Sequence, residues 1–284
     1  QVLLNSNTGL ESPDEETIQE DSIAQDTLLS AQSLLPTGVD PVVGDQLILE
    51  QKRERFLKDF TNLKLDTDHD LTIREAAKDP KLVNRVYARI MILLSNSKSR
   101  FAPEGILPEL IQELGLPALD AITKDDHSAL QSPILIRSLD LSTLSIDELA
   151  ELEVAGMGIN DAAMVDFAIT EFLTRDDRDQ TGDAAKLLSL AKCKQGLVQT
   201  LECLEKATAA ARQAEDRKLI GFCLLDEFDI RVFLQQLDRA KAIIAELQAY
   251  TDIDEVKYGL TRMLSSHGLL DQSTSVDRLA QMPI

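Results

Sequence analysis

The chain has 284 residues, 44% of them hydrophobic but only 4% aromatic, with no Trp and a formal net charge of −20. That length exceeds one average domain and implies two domains or one elongated helical array. The charge excludes a general grip on nucleic-acid backbone or anionic lipid and suits a basic protein surface instead. The longest apolar stretch, 90–94, falls far short of the roughly 20 residues a membrane span needs, so no membrane segment is expected.

Residues 1–51 contain no Lys or Arg but ten carboxylates: Glu11, Asp14, Glu15, Glu16, Glu20, Asp21, Asp26, Asp40, Asp45 and Glu50. Alone, such a block is a solvated tail; held by the body or a neighbouring subunit, it is a docking arm. The reading here is an acidic N-terminal arm, 1–51, docking through Leu28, Leu34, Leu47 and Leu49. Ser12-Pro13-Asp14-Glu15 has the form of a capped helix start. A helix is predicted over 42–63, with Leu49, Phe56, Phe60 and Leu63 on its apolar stripe. Its basic patch, Lys52, Arg53, Arg55 and Lys58, is where an acidic arm would fold back.

A helical domain over 52–174 follows. Thr72-Ile73-Arg74-Glu75 is a capping box, and Pro80 opens an apolar helix through Val86, Ile90 and Leu94. A short helix over 108–114 ends at Gly115, and 132–144 reads equally as strand or helical turn. Ser145-Ile146-Asp147-Glu148 is a second capping box, whose helix is expected to end near Gly156. An amphipathic helix over 161–174 then leads into a polar linker, 175–183, the best candidate for a domain boundary. Residues 184–214 read as one long helix, and helices over 217–228, 230–250 and 253–267 complete an antiparallel bundle over 184–284. The fold expected is all-α, a multi-helix array of two helical-bundle subdomains, with no convincing repeat period.

The sharpest chemical motif is Asp66-Thr67-Asp68-His69-Asp70-Leu71-Thr72-Ile73, which resembles the first eight positions of an EF-hand calcium loop. The resemblance implies oxygens from Asp66, Asp68 and Asp70 and from the carbonyl of Thr72. Two positions depart from it: Leu71 replaces the turn Gly, and Ala77 stands where the closing Glu belongs. Glu75 lies two residues early and closes the ligand set only in a shortened loop. Calcium is the one candidate ion, with helix capping as the competing role for these side chains. A second fragment, Asp177-Arg178-Asp179-Gln180-Thr181-Gly182, also lacks the closing carboxylate.

Cys193, Cys203 and Cys223 have no metal-ligand spacing and are expected as reduced, mostly buried thiols of a cytoplasmic or other reducing compartment. No phosphate-binding loop, nucleophile elbow or zinc-protease motif occurs, and Gly156-Met157-Gly158 stops short of a dinucleotide fingerprint. The function expected is a non-enzymatic scaffold docking on a protein with a basic surface or on itself, without nucleic acid or membrane. The alternatives are a calcium-responsive binding module and an all-α enzyme with scattered catalytic residues.

Overall fold

The computed structural model describes residues 38–65, 70–95, 103, 105–118, 139–159 and 161–268. Among them 77% are helical, in 11 α-helices and three short 3₁₀ turns, and no strand forms. The all-α fold follows from repeated capping and helical spacing. The arm as far as residue 37, with its Ser12 motif, and the ambiguous stretch 132–138 lie outside the described residues.

Helices α1 (Pro41–Thr61), α2 (Ile73–Ala76), α3 (Val83–Ser95) and α4 (Ile106–Leu114) form the first body. The carboxylate of Asp40 caps α1 by accepting from the Val42 and Val43 amides, ahead of a Pro at the first helical position. The second half of α1 buries Phe56 and Phe60, stacked with ring centroids 5.7 Å apart. They pack with Ile73, Val86, Ile90, Ile106 and Leu110, and a fully buried side chain such as Phe60 contributes about 2 kcal/mol. Arg53 ties α1 to α4 through both oxygens of Glu109, and its guanidinium holds that carboxyl below its ordinary range. Gly115 closes α4 at φ +64°, where the Leu116 amide turns back to the Ile111 carbonyl.

The second body runs through α5 (Ile146–Ile159), α6 (Ala162–Thr174), α7 (Asp183–Cys193), α8 (Leu197–Gln213), α9 (Arg217–Phe233), α10 (Leu237–Leu247) and α11 (Asp254–Ser266). Successive helices from α5 to α10 pack on each other, and α11 packs back on α9, so the core advances along the chain. Leu149, Leu152, Met164 and Phe172 begin it; Val165, Ile169, Leu188 and Leu204 continue it; Leu224, Phe228, Leu247 and Leu260 end it. The polar segment 175–183 turns between α6 and α7. Within it Arg175 donates to the carbonyls of Leu141, Ser142 and Leu144, and Arg178 pairs with Asp183.

Three boundaries differ from the sequence reading. The helix from Ser145 does not stop at Gly156 but continues to Ile159. Gly156 serves packing, since a Cβ there would meet Val165 Cγ2 at 2.8 Å. The long helix over 184–214 is two helices, broken at 194–196. The break after 228 falls instead at 234–236, where Gln235 takes φ +56° and the Gln236 amide returns to the Arg231 carbonyl.

Close approach of α9 and α11 depends on reciprocal small residues. A Cβ at Gly221 would lie 2.5 Å from Val256 Cγ2, and one at Gly259 would lie 2.5 Å from Leu225 Cδ1. No helix among the described residues is long and apolar enough to cross a membrane.

Candidate functional site

The acidic loop is pinned at its base. Lys64 and Thr72 form an isolated antiparallel bridge; the Leu65 amide donates to the Leu71 carbonyl and the Ile73 amide to the Leu63 carbonyl. Leu65 and Ile73 anchor these ends in the first core. Asp66 and Asp68 lie outside the described residues. Asp70 pairs with Lys64 at 2.6 Å, and the Lys64 ammonium holds its carboxyl below the ordinary range. Thr72 and Glu75 form the capping box: Glu75 Oε2 accepts from the Thr72 amide at 2.8 Å, and Thr72 Oγ1 accepts from the Glu75 amide at 3.2 Å. The Thr72 amide and the Thr72 hydroxyl, both donating to the Glu75 carboxylate, lower its pKa, the amide most. The expected closing ligand is thus engaged in starting α2.

The second acidic fragment is engaged likewise. Asp179 caps a 3₁₀ turn by accepting from the amide and hydroxyl of Thr181, which holds its carboxyl low. Among the described residues, no three potential metal-ligating side chains converge. The three cysteines form no disulfide with one another and gather on one core. Burial pushes Cys203 up and Cys223 up to about 11, so neither is an activated nucleophile.

The arrangement that the sequence concealed lies where α1 meets the turn between α7 and α8. Asp45, buried on α1, accepts from the Leu197 amide at 3.0 Å and the Val198 amide at 3.1 Å, capping α8 from the far end of the sequence. One turn later Leu49 fills the space over Gly196, where a Cβ would meet its Cδ1 at 2.7 Å. Lys52, a further turn on, donates to Gln195 Oε1 at 3.1 Å. These positions share one face of α1. Asp45 and Leu49, in the described part of the acidic segment, thus lie against the turn between α7 and α8, with the carboxylate on backbone amides rather than basic side chains; Leu28 and Leu34 lie outside the described residues. The one local signal was a lone Gly inside an otherwise helical pattern.

Elsewhere the array is stitched by ion pairs. Glu153 on α5 pairs with Lys186 on α7, whose ammonium also lies 5.0 Å from the Phe172 ring centroid. Asp166 on α6 pairs with Lys194 and Glu205 on α8 with Arg231 on α9, while Asp229 Oδ1 lies within hydrogen-bond distance, 2.8 Å, of His267 Nε2 beyond α11. Large apolar side chains stay bare beside them: Val154 and Met157 on α5 are 66% and 50% exposed. Phe233 and Leu237, flanking the turn between α9 and α10, are 68% and 55% exposed, and Tyr258 on α11 is 71% exposed.

Comparison with protein-family models, with curated proteins and with solved structures finds no match.

Proposed function

We propose that this chain is a non-enzymatic interaction protein, a helical array that docks on partner proteins within a larger assembly. The observation that carries the reading is the set of bare apolar side chains on the array. Val154 and Met157 lie one helical turn apart, and Phe233 and Leu237 flank one short turn. In a chain with 4% aromatics, Phe233 and Tyr258 are exposed, and aromatic residues and Met are enriched at association surfaces.

Charge adds direction. The seven carboxylates ahead of Gly38 have no Lys or Arg among them, so they favour a basic protein surface over nucleic acid or anionic lipid. Three cysteines without a disulfide among them, Cys203 and Cys223 buried, support a reducing compartment such as the cytoplasm. Removal of residues 1–37, which leaves Asp40 in place to cap α1, tests the reading through the partners that the shortened chain retains. The calcium-responsive alternative requires Glu75 to leave its cap and Asp70 to leave Lys64.

A further inference from the structure

Helix α5 turns to solvent a face that is acidic over its first half and apolar over its second. Residues 154–159 contain no polar side chain, and all but Gly156 are exposed; Val154, Met157 and Ile159 are 66%, 50% and 43% exposed. Glu151, Val154, Ala155 and Gly158 follow at helical spacing on one face, with Asp147 one turn ahead of Glu151. A Cβ at Gly158 would meet nothing within 4 Å, so the backbone is open to close approach there. Charge says what covers this face. Residues 138–174 contain eight carboxylates and no Lys or Arg. Six of the eight are engaged within the fold. Asp140, Glu148 and Asp161 accept from backbone amides at helix starts, and Glu153, Asp166 and Glu171 pair with Lys186, Lys194 and Arg175. The other two, Asp147 and Glu151, have no side-chain partner among the described residues, and they are the two that share the face with the apolar stretch.

We propose that this face of α5 binds an amphipathic helix of a partner protein, one that carries Lys or Arg one and two turns from its apolar stripe. The stripe packs on Val154 and Met157 and closes on the bare backbone at Gly158, while the basic residues meet Glu151 and Asp147. Met157 is unbranched and adapts to the incoming side chains. The same charge pattern disfavours other occupants. Nucleic acid and anionic lipid are repelled by the two unpaired carboxylates. A second copy of the chain would bring the same two carboxylates against a face of its own sign. The proposal rests on the interaction reading above and names the partner chemistry of one of its surfaces.

The test titrates the full chain with a fluorescent helical peptide of about 18 residues, five turns, with Leu along one stripe and Lys on both flanks. Saturable binding is expected, weakened about tenfold or more by Val154→Ser with Met157→Ser. Gly158→Gln fills open space and improves helix propensity, so it should block the approach without loss of fold. Asp147→Asn with Glu151→Gln should weaken binding about threefold, and a peptide with Glu in place of Lys should not bind. Phe233→Ser with Tyr258→Ser, at bare side chains elsewhere on the array, should leave binding unchanged. Every substituted position is exposed, so the circular dichroism of each variant should match that of the parent. Absence of saturable binding overturns the proposal. So does binding that survives Val154→Ser with Met157→Ser, or that falls equally with Phe233→Ser and Tyr258→Ser. A dimer in light scattering that Val154→Ser with Met157→Ser dissolves also overturns it, because a second copy then covers the face. If peptide binding fails while the full chain still retains partner proteins, this site alone is wrong; if both fail, the interaction reading falls with it.

Discussion

Asp226 on α9 shows how one partly buried charge weighs on the array. Burial holds its carboxyl above the ordinary range; Lys192 opposes that shift and Asp229 adds to it. The folded protein therefore binds this proton more tightly than the unfolded chain. Its ionisation lowers stability as pH rises from the ordinary value of 3.8 through the raised folded value, and the loss is constant above that. Asp226→Asn should accordingly raise the melting temperature at pH 7 and lose that advantage below about pH 4. A thermal melt at each pH measures it. At the acidic loop, Glu75 and Asp70 are engaged with Thr72 and Lys64. Millimolar calcium should therefore leave the melting temperature unchanged, whereas Thr72→Ala should cost about 1 kcal/mol. A calcium-dependent rise that Asp66→Ala with Asp68→Ala removes would establish the calcium alternative instead.

Helices were legible wherever their ends are written locally. The capping boxes at Thr72 and Ser145 and the glycine at 115 form as the sequence implies, because each places donor and acceptor within a few residues. Boundaries set by distant contacts were not. The cap of α8 comes from Asp45, so nothing near Gly196 announces a helix start. The end of α9 uses Gln235 in the left-handed region, where glycine is the usual signal. The candidate site was readable to the same degree. The acidic side chains of the loop stood out, as did the Glu75–Thr72 cap, but the engagement of Asp70 with Lys64 depends on the bridged geometry. Glycines inside helices separate two roles. Gly221→Ala would drive a Cβ into the stiff Val256 side chain and should destabilise by about 1–3 kcal/mol. Gly158→Ala meets nothing within 4 Å and should stabilise by roughly 0.5 kcal/mol through helix propensity. Chemical denaturation of the two variants measures the contrast.

Across the whole molecule, charge and bare apolar surface point the same way. Half of the net charge sits in the first 51 residues, and within the described part of that stretch Asp45 and Leu49 contact the turn between α7 and α8. Exposed ion pairs contribute little each and weaken with salt, so apolar contacts should supply most of the affinity for a partner. The central claim, that this is an interaction protein, is tested most directly by quantifying proteins retained from lysate by the full chain and by the chain lacking residues 1–37, at low and high salt. The account predicts that the shortened chain keeps its helical circular dichroism but retains less of a defined set of basic proteins, and that high salt lowers retention by the full chain only in part. Failure of the full chain to retain any defined set of proteins at either salt concentration would contradict it, and equal retention by both chains would remove the arm from the account.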